Sequence, residues 1–191
     1  MAAFSVIELI FVLGLAATLT GVAVPQVIQS LDDMRTAGAT RYIASRLQQA
    51  RMDAVSRTRD TAIRFTATGS TFAFAVYVDG NRNGVHTSDI ENGIDAAMTP
   101  LERLSDQFPR VDFGILPGLP PVLPDATRPG DDPIHLGPGN IATFTSSGTS
   151  STGSIYIRGR GAAQYAIRLF GQTGKTRILK FDARQQAWIT L

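Results

Sequence analysis

Apolar and polar positions change rhythm twice along this chain. From Phe4 to Val24 the sequence is apolar on every side, with Glu8 its sole charge, and that run is about the length that crosses a hydrocarbon core. After Pro25 the spacing turns helical and one-sided. Val27, Leu31, Met34 and Gly38 recur at steps of four, three and four, and Ile43, Leu47, Ala50 and Ala54 repeat the rhythm one residue out of phase. Arginines 35, 41, 46, 51 and 57 occupy the remaining positions, so this second half is amphipathic. The pattern predicts one helix from Phe4 to Thr58, about 80 Å long at 1.5 Å per residue, with Pro25 kinking or locally melting it.

From Thr61 onward the period shortens to two. Strands are predicted at Thr61 to Ala67, Phe72 to Val78, Ile141 to Thr145, Ser154 to Arg158, Gln164 to Phe170, Thr176 to Phe181 and Ala187 to Leu191. Ile63 and Phe65 share one face of the first, with Arg64 on the other. The second is apolar on both faces and reads as a central strand. Between residues 84 and 139 lies a stretch rich in Pro, Gly and Asp, with one short helical candidate, Met98 to Gln107. Pro117 to Pro124 carries too many prolines for a central strand and reads as an extended loop. The architecture expected is α+β: a long N-terminal helix packed on one or two antiparallel sheets.

Composition narrows the chemistry. The 191 residues contain no cysteine and two histidines, His86 and His135, which removes disulfide scaffolds, thiol catalysis and cysteine-bound zinc. No convergent acid, base and nucleophile can be named, so an enzyme is the weakest reading. Charge is segregated: residues 79–135 hold 4 basic and 10 acidic groups, and residues 136–191 hold 7 basic and 1 acidic. An acidic middle and a basic last third suit head-to-tail contacts or anion binding; solvated strand edges carrying Arg and Lys give the same pattern.

The apolar N-terminus does not read as a secretory signal peptide. Met1-Ala2-Ala3 brings no positive charge, and Glu8 sits where such a segment is most apolar. A buried acid costs roughly 2.5 to 3.5 kcal/mol at a bilayer centre, so Glu8 requires a partner. The run Phe4-Ser5-Val6-Ile7-Glu8, with the apolar stretch and Pro25 behind it, resembles the N-terminal signature of type IV pilins and type II secretion pseudopilins. That resemblance implies a leader remnant at 1–3, a membrane-embedded half-helix at 4–29, and a periplasmic domain at 30–191. It further implies cleavage between Ala3 and Phe4 by an inner-membrane prepilin peptidase, which methylates the new Phe4 amine. That amine can neutralise Glu8 of a neighbouring subunit. The residue before the cut is Ala3, where the family usually has glycine.

Further segments narrow the resemblance. Leu47 to Arg57, Phe74 to Gly84, Ile141 to Gly148, Gly153 to Ile157 and Ala166 to Arg177 are similar to the H-type minor pseudopilins and their type IV pilus counterparts, the GspH/FimT group. The implied function is a structural subunit of a type II secretion pseudopilus or type IV pilus, single-pass in the bacterial inner membrane and assembled into a periplasmic filament. The implied partners are other pseudopilins or pilins, the prepilin peptidase, the inner-membrane assembly platform and membrane lipid. Two alternatives stay open: a DNA-binding minor pilin for natural transformation, and a major pilin.

Three loops carry candidate chemistry. Asp79, Asn81, Asn83 and Gly84 have the oxygen spacing of a calcium loop. Val85 would add its carbonyl and Thr87 its hydroxyl; the twelfth position is Ile90, so Asp89 or Glu91 would have to supply the bidentate acid. A hairpin turn on Asn83-Gly84 explains the same residues without metal. No other cofactor is expected. Gly171 to Thr176 superficially resembles a P-loop but lacks the first glycine, where Leu169 stands, and a strand follows it, so it reads as a glycine-rich hairpin turn. Lys175 and Arg177 in that turn match a glycine-basic-x-arginine pattern associated with DNA uptake in some pilus relatives, and Arg158, Arg160 and Arg168 add regional charge. Alternation puts Arg177 and Lys180 on opposite faces, so the pattern alone does not establish one basic stripe.

Overall fold

A computed structural model describes residues 5–191. The elements run α1 (Val6–Arg57), β1 (Thr61–Thr68), β2 (Thr71–Val78), α2 (Thr87–Glu91), β3 (Ala96–Ala97), β4 (Glu102–Arg103), α3 (Leu104–Gln107), β5 (Asp112–Phe113), β6 (Ile134–His135), β7 (Ile141–Phe144), β8 (Gly153–Arg158), β9 (Gln164–Phe170), β10 (Lys175–Asp182) and β11 (Ala187–Thr190). The expected α+β arrangement is the one observed, with the helix packed on two antiparallel sheets.

Helix α1 has 52 residues and stays helical through Pro25, so of the two outcomes expected there, a kink or local melting, the helix does not melt. The proline ring presses on the carbonyl four residues back, and that residue is Gly21, whose missing side chain leaves the backbone most room to adjust. Hydroxyls on this face bond backward along the helix: Thr20 Oγ1 donates to the Ala16 carbonyl at 2.8 Å. The helix ends at Thr58, which turns left-handed at φ 52°.

Only the second half of α1 is covered by the rest of the chain. Its buried positions are Asp32, Thr36, Ala39, Thr40, Ile43, Ala44, Leu47, Ala50 and Ala54. The stripe expected from Ile43, Leu47, Ala50 and Ala54 is therefore correct. Val27, Leu31 and Met34, expected on the same covered side, are exposed. Small residues dominate the covered stripe and let both sheets approach closely, while Thr36 and Thr40 satisfy their hydroxyls on the carbonyls of Asp32 (2.6 Å) and Thr36 (2.7 Å). Gly159 lies against this stripe, where a Cβ would come within 2.1 Å of Thr36 Oγ1.

The first sheet runs β3-β2-β1-β7, with β4 also on β2, and the second runs β11-β10-β9-β8-β5, with β6 also on β8. One core joins helix and both sheets: Ile43 and Leu47 meet Ile63, Phe65, Phe74 and Val76 of the first sheet and Ile155, Ile157, Ile167 and Leu169 of the second. Phe113 wedges edge-on between Phe65, Phe72 and Phe74, at centroid distances of 5.3 to 6.3 Å.

The seven strands read from alternation all form, within a residue or so of their expected ends. The acidic middle is more structured than expected: it supplies α2 and the two-residue strands β3 to β6, which extend the sheet edges. The helix expected at Met98 to Gln107 forms only as Leu104–Gln107. Met98 N–H instead donates to the Val76 carbonyl (2.7 Å), and Thr99 Oγ1 accepts from Val76 N–H (3.0 Å), so the β2 edge captures the segment before Pro100. Leu116 to Asp125 carries no strand, as its prolines require.

Candidate functional site

Among the described residues, the first half of α1 has no cover from the rest of the chain. Every residue from Ser5 to Leu31 is exposed, including Val6, Ile7, Ile10, Phe11 and Leu19, and the helix is long and apolar enough to cross a membrane. Covering apolar surface is favourable by roughly 25 cal/mol per Å2, so this half is suited to lipid or to packing among other apolar helices. Glu8 lies in the first helical turn, exposed. Ala3 and Phe4, the expected processing residues, lie outside the described residues.

The change of surroundings happens at one place. Asp33 accepts from the Tyr165 hydroxyl (2.9 Å) and from Lys180 Nζ (2.6 Å), tying α1 to β9 and β10. Burial, then the bond to Asp33, pushes the Tyr165 phenol well above its ordinary value. The covered stripe of the helix starts beside this clamp, at Asp32. Sequence reasoning missed this clamp; its signal was the Asp32-Asp33 pair that ends the charge-free run.

Further along α1, three family-like segments meet. Gln48 Nε2 donates to the Gly174 carbonyl and to Thr176 Oγ1, both at 3.2 Å, and Arg51 Nε donates to the Gly148 carbonyl at 3.1 Å. Gly174 sits at φ +60°, and a Cβ there would meet the Gly148 carbonyl at 2.6 Å, so the turn needs glycine for both conformation and space. The turn joins β9 to β10, with Lys175 opposite Phe170, and is the hairpin expected of it.

The candidate calcium loop is closed by its own donors. Asp79 Oδ1 accepts the N–H groups of Asn81 (3.0 Å) and Arg82 (2.7 Å), and Oδ2 accepts that of Gly84 (2.9 Å). Asp95, which the sequence did not single out, accepts from Gly80 N–H (2.9 Å) and His86 N–H (3.0 Å). Asp89 Oδ2 takes the side-chain amides of Asn81 and Asn83 at 3.1 and 3.0 Å, which hold its carboxyl below the usual value. Thr87 opens α2, the Val85 side chain packs with Ala62 and Ile141, and Glu91 pairs with Arg64 at 2.8 Å. Among the described residues no three acidic or histidine side chains converge on one point. In this arrangement the carboxylates of Asp79, Asp89 and Asp95 each accept from amide donors of the loop.

The basic residues divide between two environments. Register places Ser154, Arg168 and Arg177 in one row across β8, β9 and β10, and puts Arg158 and Lys175 on the same outer face. Lys180 faces α1, as alternation required. Arg158, Arg160, Lys175 and Arg177 are exposed. Arg168 is not: it is 3% exposed, bound to the Asp125 carboxylate, and donates to Ser154 Oγ at 3.0 Å. It is a buried ion-pair residue and lies beneath the accessible basic surface.

A helix with one bare apolar half and one half embedded in two antiparallel sheets is the arrangement of a pilin-like subunit. The chain matches the family model of the type II transport protein GspH over residues 39–173, and it belongs to that family. It is thus a pseudopilin of type II secretion. The match begins at Ala39, close to where α1 becomes covered, so it rests on the folded part and is independent of the Phe4 to Glu8 signature. Neither the curated proteins nor the solved structures give a match.

Proposed function

We propose that the chain is a minor pseudopilin, held in the bacterial inner membrane by the first half of α1 and then drawn into a periplasmic filament with other pseudopilins. The observation that supports this reading is the bare apolar surface from Val6 to Leu31. In the membrane, lipid covers it; in the filament, the corresponding helices of neighbours do. Cleavage between Ala3 and Phe4 frees an amine that pairs with Glu8 of an adjacent subunit, turning a costly lone acid into a specific contact. The prepilin peptidase and the assembly platform are the partners of those two steps. No catalytic step is assigned to the chain itself.

The absence of native cysteine makes this testable by engineered disulfides. A cysteine at Val12, paired with a cysteine placed at the matching helix position of another pseudopilin, should form a disulfide when a mild oxidant is added to membranes that carry the secretion apparatus. Glu8→Leu should cut that cross-linking by at least about tenfold, because the neighbour's amine loses its counter-charge, while membrane retention is unchanged. Equal cross-linking with and without Glu8 would sink the reading.

A second reading, a DNA-binding pilus subunit, draws support from Arg158, Lys175 and Arg177 sharing the outer face of the second sheet. It predicts duplex binding that weakens steeply with salt and is lost in Lys175→Ala/Arg177→Ala.

A further inference from the structure

The outer face of the second sheet carries a hollow of about 370 Å3 between β9, β10 and β11 and the loop Leu116 to Asp125. Phe170, Leu179 and Trp188 line it from the sheet, Pro121 and Leu123 from the loop. The Trp188 ring is fixed in place: its indole N–H donates to the Pro120 carbonyl at 2.9 Å, and the rings of Phe181 and Tyr156 lie 5.5 and 6.0 Å away. Leu123, at the mouth, is 81% exposed.

Two guanidinium groups also line the hollow, and no acidic side chain does. Arg168 and Arg177 are directly opposite each other across β9 and β10, a like-charge placement that destabilises a sheet unless something neutralises it. Arg177 lies over the Phe170 ring at 5.2 Å. Arg168 spends Nη1 on Asp125 and Ser154; its Nε is buried with no acceptor, and Nη2 has none among the described residues. Asp125, the one acid bound to the pair, is itself 36% exposed. A nearly buried guanidinium with spare donors, opposite a second cation and walled by aromatic and aliphatic groups, is electrostatically incomplete.

We propose that this hollow binds a carboxylate carried on a small apolar body, the carboxylate seated between Arg168 and Arg177 and the body against Trp188 and Leu179. The exposed Arg177 can offer a carboxylate planar bidentate pairing, Arg168 Nη2 adds one further donor, and the volume lies in the range of small-ligand sites. A nucleic-acid duplex does not fit these features: Arg168 is too deep for a phosphate backbone, and the walls are apolar. Two sources supply the same chemistry, a polypeptide's terminal carboxylate behind an apolar residue and a free carboxylic acid.

Trp188 is the chain's only tryptophan, so its emission reports the hollow directly. The full chain, held in phosphatidylcholine vesicles, is titrated with 3-phenylpropionate, with its amide, and with the peptide Ala-Ala-Leu-Phe bearing a free or an amidated terminus. The acid forms should give a saturable emission change, with the amides at least about tenfold weaker. Peptide binding much tighter than phenylpropionate identifies a polypeptide source, and equal binding a free acid; either supports the site. Arg168→Gln should weaken the acids by at least about tenfold and Arg177→Gln by a few-fold. Leu123→Glu, on an exposed side chain that leaves the fold intact, should weaken them by repulsion even where Arg168→Gln does not fold. Equal binding of acid and amide, no saturable change, unaltered affinity in both Arg177→Gln and Leu123→Glu, or a response to duplex DNA alone would each overturn the proposal.

Discussion

The two halves of α1 share one unbroken helical backbone and almost nothing else. From Asp32 to Arg57 the helix buries a narrow stripe of small and aliphatic residues between two sheets, and its other faces carry arginine and aspartate. From Val6 to Leu31 it has no covered face and a single charge. Helical propensity does not separate them. What differs is their cover: the second half packs into the chain's own core, whereas the first half is left bare by the chain and is consistent with a membrane anchor. Folding and localisation are therefore written in separate parts of one element, and substitutions should affect them separately.

The strongest test is to damage the core half alone. Leu47 is fully buried where α1 meets both sheets, so Leu47→Ala should lower unfolding free energy by about 2 to 5 kcal/mol through lost contacts and a cavity. Denaturation followed by Trp188 emission measures this, and the share of chain in membranes should not change. A comparable loss of membrane association would mean that the halves are not separable.

The reciprocal change is Leu15→Arg, in the middle of the bare half. An arginine at a helix centre disfavours insertion by roughly 2.5 to 3.5 kcal/mol. The membrane-bound fraction should fall sharply, yet the midpoint of denaturation should match that of the unaltered chain, because Leu15 touches no part of the folded domain. A shifted midpoint would show that the first half also supports the core.

How far this division was legible in the sequence depends on what each residue needed. Leu47, Ala50 and Ala54 were legible because their burial follows from helical period alone. Val27, Leu31 and Met34 have the same spacing, but spacing reports that a face is apolar and leaves its cover open, whether its own sheets or something outside the chain. The seven long strands were legible from alternation. The short strands β3 to β6 were not, since a two-residue strand has no period and exists only because β2 and β8 present free edges. Arg168 shows the same limit in the candidate sites. It was read only as part of the regional basic charge, and its burial depends on Asp125, 43 residues away in sequence, brought over the sheet by a proline-rich loop with no regular structure.

The smallest effect is expected at the boundary between the two halves, where Tyr165 and Lys180 hold Asp33. Burial raises the phenols of both Tyr165 and Tyr156, the latter to about 12. A phenol whose folded value is raised keeps its stabilising effect below its unfolded value of about 10, and that effect disappears as pH climbs through the folded one. The thermal midpoint should therefore hold up to about pH 10 and decline between about 10 and 12. Tyr156→Phe should flatten the decline without touching the boundary. Tyr165→Phe should flatten it too, and should also loosen α1 from β9, seen as faster amide exchange around Asp33 with little change near Leu47. If both variants behaved alike in exchange, the Asp33 contact would be a consequence of packing, and the helix would be held at Leu47 alone.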